Sequence, residues 1–240
     1  MKTPQTAIVT GASSGIGLGL TRILLDQGYR VVANSRRISA TGALEPAQNL
    51  AIVDGDVADP ATGAALTRTA VERFGSVDLL VNNAGIFIAR GFTDSSAEDY
   101  RRLVETNLTG FFHVTQPAVR QMRKQGAGHV VTISTSLVSQ PIQGVSAALA
   151  ILTKGGLNAI TRALAIEHAK EGIRFNAVAP GIVDTPMHRP ETHGFLKTLH
   201  PIERLASVAE VADAVLYLTK ATFVTGEVIH VDNNAHAKRW

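Results

Sequence analysis

Seven short runs of β-branched and aliphatic residues recur along this 240-residue chain, at 7–10, 30–33, 50–53, 78–81, 129–134, 173–178 and 228–231. Longer amphipathic stretches at 16–27, 61–74, 97–123, 147–170 and 208–219 separate most of them. Almost no polar residue alternates within the runs, so strands built from them must be covered on both faces. Helices of this length between the strands supply that cover. The pattern predicts an α/β fold, a doubly wound parallel sheet with helices on both faces. In such sheets ligands sit beyond the carboxyl ends of the strands, and motifs at those ends are the informative ones.

No Pro/Gly/Ser-rich linker, charge block or repeat divides the chain, which predicts a single domain over 1–240. With 45% apolar and 18% charged residues it can bury a full core. The absence of cysteine excludes disulfides, thiolate metal sites and a cysteine nucleophile, and is compatible with a reducing compartment. The start, Met1-Lys2-Thr3-Pro4-Gln5, enters the first strand directly, so no secretory leader is expected. No segment reads as long enough to span a bilayer, and the expectation is a cytoplasmic protein with no membrane partner. Basic residues are scattered: Arg36-Arg37, Arg101-Arg102, 120–124 and Lys238-Arg239. They read as solvated helix faces, with no nucleic-acid partner expected.

The first strand runs into Thr10-Gly11-Ala12-Ser13-Ser14-Gly15-Ile16-Gly17, and a helix begins at once. Glycines there let the backbone turn sharply and approach a pyrophosphate, while the helix terminus favours the anion. Asn82-Asn83-Ala84-Gly85 follows the fourth strand, Asn107 lies in Thr106-Asn107-Leu108-Thr109-Gly110, Lys154 opens Lys154-Gly155-Gly156-Leu157, and Pro180-Gly181-Ile182-Val183-Asp184-Thr185 follows the sixth strand. In order and spacing this set resembles the short-chain dehydrogenase/reductase family along essentially the whole chain. The resemblance implies a Rossmann-type sheet with Gly11, Ser13, Ser14, Gly15, Ile16 and Gly17 around the pyrophosphate. It implies Asp56 and Val57 at the adenine, with Asn83, Ala84 and Gly85 lining the cofactor cleft. Pro180, Gly181, Val183 and Thr185 would hold the nicotinamide, and Lys154 its ribose hydroxyls. Read alone, Asp56 also suits a turn before Pro60, and Asn83 a turn tolerant of left-handed backbone.

Cofactor choice is set at the end of the second strand, where an acid would accept from a ribose 2′-hydroxyl and repel a 2′-phosphate. This chain has Asn34-Ser35-Arg36-Arg37, with no carboxylate and two guanidiniums that suit phosphate oxygens. Ser35, Arg36 and Arg37 therefore favour NADP over NAD. Arg37 capping the following loop is the alternative.

In the family a Ser polarises the substrate carbonyl, a Tyr moves the proton, a Lys four residues later lowers the Tyr pKa, and an Asn holds a relay water. The matching residues are Asn107, Lys154, and Thr135, or Ser136 if the register slips by one. The Tyr position reads Ala150, which marks an atypical member lacking the active-site Tyr and leaves space for a water or for a group from elsewhere. The only tyrosines are Tyr29, Tyr100 and Tyr217, and each reads as packing. Ser146 and Thr153 lie near the position, but a hydroxyl is a poor acid. The segment at about 185–206 takes the place of a substrate lid and carries His188, His193 and His200, any of which could bring a proton. Their spacing does not suit a metal, and none is expected. Phe195 and Leu199 suggest an apolar part of the substrate.

The expectation is an NADP-dependent oxidoreductase acting on a small-molecule carbonyl or alcohol with a non-Tyr proton donor. A dinucleotide-binding sensor or partner subunit without turnover, or non-redox or imine chemistry in the same pocket, are the alternatives. In the family, helices matching 97–123 and 147–170 pair between subunits, so a homotetramer or homodimer is expected. Val231-Asp232-Asn233-Asn234 stands where the family has Val-Asp-Gly-Gly, and Asn tolerates the positive φ such a turn needs.

Overall fold

The computed structural model describes residues 4–237, so Met1–Thr3 and the basic pair Lys238-Arg239 lie outside the described residues. Strands β1 (Thr6–Thr10), β2 (Arg30–Ser35), β3 (Leu50–Asp54), β4 (Leu79–Asn82), β5 (Gly128–Ile133), β6 (Ile173–Pro180) and β7 (Val228–Val231) match the expected runs to within two residues. They form one sheet in the order β3-β2-β1-β4-β5-β6-β7. Every pairing is parallel. The winding direction reverses between β1 and β4, and such a switch point opens a crevice at the carboxyl edge.

Alternate residues of each strand feed two cores, which is why the runs carry no polar alternation. Ala7 and Val9 of β1 pack with Leu20 and Leu24 of α1 (Gly15–Asp26) and with Val211 and Val215 of α7 (Val208–Lys220). Ile8 points the other way, to Leu66 of α2 (Pro60–Phe74), Val114 and Met122 of α4 (Gly110–Gln125) and Ala165 of α5 (Ala148–Glu167). Caps set the helix ends. Asp59 accepts from the Ala61 amide with Pro60 in the first turn of α2, and Ser207 with Glu210 forms a reciprocal capping box on α7.

Three expectations change. The stretch 97–123 is not one helix: α3 (Ala97–Leu103) and α4 are joined by a π-helical turn, Val104–Thr109. The widened turn carries Asn107, whose side chain brackets the Ile86 backbone, Oδ1 accepting from the amide at 2.9 Å and Nδ2 donating to the carbonyl at 3.1 Å. Tertiary hydrogen bonds thus override the helical period there. Second, α5 ends at Glu167, and a single 3-10 turn, Ala169–Glu171, follows. Third, α5 is 20 residues long and apolar enough to cross a bilayer by length and composition. Its many Ala, Leu and Ile residues outweigh Lys154, Arg162 and Glu167 in the average. Here it docks on the sheet and buries Thr153, Asn158 and Thr161.

Residues 185–206 leave the sheet after β6 as a 3-10 turn (Pro190–Thr192) and the short helix α6 (His193–Thr198). The excursion is laced at its base, with the Asp184 amide on the Ala206 carbonyl at 2.8 Å and the Ala206 amide on the Ile182 carbonyl at 2.9 Å. Asn233 and Asn234 adopt φ of 51° and 65°, the left-handed backbone that the Asn pair suits.

Candidate active site

A cleft of about 560 Å³ opens at the carboxyl edge between the β1 and β4 ends. One wall is the start of α1. Ser14 precedes it in extended conformation without a side-chain cap, and the first turn holds no acid, so its amides are left for an outside acceptor. Gly11 has φ of +66°, and a Cβ there would stand 2.8 Å from Asn83 Nδ2. Gly11, Ser13, Ser14, Gly15 and Ile16 line the cleft, and Gly17 does not. A Cβ on Gly17 would overlap the Gly11 carbonyl, so this glycine closes the turn rather than facing the cleft.

Thr10 and Asn83 tie β1 to the turn after β4. Thr10 Oγ1 accepts from the Asn83 and Ala84 amides at 3.1 and 3.0 Å, and Asn83 Nδ2 donates to the Thr10 carbonyl at 2.9 Å. Asn83, Ala84 and Gly85 line the cleft. At its outer end lie Ser35, Arg36, Asp56 and Val57. Asp56 Oδ1 also accepts from the Ala58 amide at 2.9 Å, so it makes the turn and faces the cleft at once. Asp54, paired with Ser35 across β3 and β2, is engaged by the Ser39 amide and hydroxyl, which hold it below the usual carboxylate range. Arg36 and Arg37 are exposed and make no side-chain hydrogen bond or ion pair among the described residues, and Arg37 sits just off the cleft lining. Its side chain does not cap the 3-10 turn that follows. Asn34 is fully buried at this end, and its Oδ1 has no partner among the described residues. Two free guanidiniums and an uncapped helix start supply donors that suit the phosphate oxygens of a dinucleotide.

At the inner end Pro180, Gly181, Val183 and Thr185 face Thr135, Ser136 and Lys154. Thr135 Oγ1 accepts from the Leu137 amide at 3.4 Å, while the Ser136 hydroxyl makes no hydrogen bond among the described residues. Lys154 reaches from α5 to donate to the Ile133 carbonyl at 2.8 Å. Burial lowers its ammonium from the ordinary 10.5 to about 8. Asn107 does not line the cleft. Besides bracketing Ile86, its Nδ2 donates to Thr153 Oγ1 at 3.0 Å, so the amide splints the Gly85 turn to α5 from behind.

Ala150 is 0% exposed and packs with Leu103 and Ala147. Phe87, Leu137 and Val145 pack over that cluster and themselves line the cleft, so they wall Ala150 off from it. The expected space beside Lys154 is therefore filled by apolar side chains. None of the three tyrosines reaches the cleft.

From the lid, Met187, His188, Leu196, Leu199 and His200 line the cleft, whereas Phe195 is 56% exposed. The apolar lid contact expected of Phe195 thus comes from Leu196, one helical position on. Phe87, Leu137, Ile142 and Val145, which no motif marks, also line the cleft. Their position in loops just beyond β4 and β5 was the one signal available.

The chain matches the family described as Enoyl-(Acyl carrier protein) reductase over residues 11–236. It is 36% identical to L-rhamnose 1-dehydrogenase (NAD(P)(+)) of Azotobacter vinelandii, covering 95% of each chain. It is 34% identical to acetoacetyl-CoA reductase of an Acinetobacter species, covering 98% of this chain and 99% of the relative. A solved structure of ElxO with NADP bound superposes with a TM-score of 0.89 at 28% identity, covering 98% of this chain and 100% of the other.

Proposed function

Because this chain belongs to the short-chain dehydrogenase/reductase family and is an NAD(P)-dependent oxidoreductase, we propose that it uses NADP on a small carbonyl or alcohol, with a group other than a phenol moving the substrate proton. The observation that supports this is one continuous cleft from Arg36, past the uncapped start of α1, to Lys154 and Ser136. NADP bound there would supply or accept the hydride. Arg36 and Arg37 hold the 2′-phosphate, the first-turn amides of α1 hold the pyrophosphate, and Lys154 holds ribose hydroxyls. Ser136 or Thr135 donates to the substrate oxygen and stabilises charge as it develops there. Phe87, Leu137, Val145 and the lid leucines hold an apolar body and exclude water.

A second reading, a dinucleotide-binding sensor or partner subunit, is favoured by the burial of Ala150 away from the cleft. Fluorescence titration with NADPH and NADH followed by a carbonyl panel separates the two. The oxidoreductase reading expects NADPH to bind at least about ten times more tightly and to be oxidised by some apolar carbonyl. Tight binding without oxidation across the panel moves the protein to the second reading. We also read the protein as cytoplasmic, a compartment with which its cysteine-free composition is compatible. The exposed apolar residues Phe112 on α4 and Leu152 and Ile160 on α5 support a homodimer or homotetramer.

A further inference from the structure

The lid carries three histidines, and their surroundings differ. The His200 ring is 3% exposed and uses both nitrogens on backbone: Nδ1 donates to the Arg204 carbonyl at 2.7 Å and Nε2 accepts from the Ile182 amide at 3.0 Å. It is a brace. His193 turns back on the lid, its Nε2 lying 3.3 Å from the His188 carbonyl, and it does not line the cleft. His188 does line it, and its ring nitrogens make no hydrogen bond among the described residues. The His188 amide donates to the Thr185 carbonyl at 3.0 Å, and the His193 ring rests on the His188 carbonyl, so the backbone that aims this ring is pinned on both sides.

Resting on the oxidoreductase reading above, we propose that His188 is the group that exchanges the substrate proton, a catalytic residue taking over the work of the missing phenol. In alcohol oxidation the hydroxyl proton passes to a ring nitrogen of His188 while the carbon's hydrogen leaves with its electron pair to the nicotinamide of NADP. In reduction the imidazolium returns the proton to the oxygen as the carbon gains that hydride. Each direction moves one proton and one hydride. The other cleft groups serve less well. Thr135 and Ser136 are hydroxyls, and Lys154 is tethered to the Ile133 carbonyl. Burial, with the neighbouring His193, lowers the His188 pKa below 6.5, against a smaller raising effect from Asp184. The ring is then neutral at pH 7, which suits it to accept a proton from an alcohol.

The test is the full chain with histidine ring nitrogens labelled, titrated by NMR alone and with NADP, beside kinetics of the parent and of His188→Gln and His188→Asn. The assignment expects one ring to titrate below 6.5 and to shift on adding NADP and an alcohol substrate. Oxidation should fall as pH drops through that same value. Both variants should lose about 10²–10⁴-fold in kcat, lose that limb of the pH profile, and keep the parent affinity for NADPH. Parent-like kcat and pH profile in either folded variant overturns the assignment while leaving the oxidoreductase reading intact. A His188 ring that ignores substrate overturns it even if the variants fail to fold. Parent protein that binds NADPH but turns over nothing removes the oxidoreductase reading, and this assignment with it.

Discussion

Lys154 Nζ donates to the carbonyl oxygen of Ile133 at 2.8 Å, which ties the middle of α5 to the last residue of β5. The bond places a charged amino group on the floor of the cleft, directly beside Gly85, where a Cβ would lie 3.0 Å from Nζ. The position comes at a cost to the fold, because burial disfavours the charged form. An unfolded Lys keeps its proton up to about 10.5, whereas the native group sheds it near 8. The penalty is therefore fully present below pH 8 and is relieved as pH rises from 8 to 10.5. Lys154→Met should stabilise the protein at pH 7 by about 1 kcal/mol, net of the Ile133 carbonyl left unpaired, or roughly 2–4 °C in Tm. The gain should shrink toward pH 10, while NADPH affinity and turnover fall. Calorimetry at pH 7 and 10 decides it, and a lower Tm at pH 7 refutes the account.

Among the described residues Arg36 and Arg37 have no ionic partner, and Arg36 lines the cleft. A charge-assisted contact is worth about 1.5–3 kcal/mol, so Arg36→Ala should weaken NADPH binding by roughly 10- to 100-fold and leave NADH nearly unchanged. Isothermal calorimetry with both cofactors measures this directly. An equal loss for the two nucleotides points to a structural role for Arg36.

The strands were legible because their residues alternate between two buried faces, and Ala7, Ile8 and Val9 already show why no polar partner intervenes. The glycine-rich turn was legible because Gly11 needs positive φ and Gly17 needs the absence of a Cβ. What escaped the sequence depends on distant contacts. The π turn exists because Asn107 meets Ile86, 21 residues away. Nothing local marks Phe87 and Val145 as the wall over Ala150, and the three lid histidines differ only in what surrounds their rings.

That wall gives a prediction for Ala150→Tyr. A phenol on this helix face must displace Phe87, Leu137 or Val145, all packed against the Leu103–Ala147–Ala150 cluster. Overpacking of a filled site costs about 1–3 kcal/mol. Urea denaturation should show that loss, and reductase activity should not rise. A stable variant with increased turnover on any carbonyl shows instead that the loops carrying the wall open easily.

His129 gives the sharpest pH dependence of stability. It is buried on β5 against the Arg174 guanidinium at 3.2 Å. Burial first, then that charge, push its pKa to about 3. Between pH 6.5 and 3 the unfolded chain binds a proton that the native state refuses, so stability falls as pH drops through this window. The slope from this one group is about 1.4 kcal/mol per pH unit. Urea midpoints at pH 6.5 and 5 should differ accordingly, and His129→Gln should flatten the difference. An unchanged slope in the variant assigns the acid sensitivity to other groups.

The base of the lid hangs on His200. Its ring spans from the Ile182 amide, just after β6, to the Arg204 carbonyl on the returning limb, and a Cβ added to Gly181 would overlap Nε2. His200→Ala deletes both bonds and leaves the Ile182 amide without its acceptor, at a cost of about 1–3 kcal/mol. Gly181→Ala should act in the same direction by pushing the ring away while keeping it. The loss is local, because Asp184 and Ala206 still lace the base through backbone bonds. Both variants should therefore keep a cooperative global transition, yet become cleavable by protease within 185–206 and bind substrate less tightly. KM should rise and kcat should fall with it, since His188, the proposed proton carrier, rides on the same lid. Limited proteolysis and steady-state kinetics on the two variants check this. Parental cleavage rates and KM in both show that the lid is held without the imidazole.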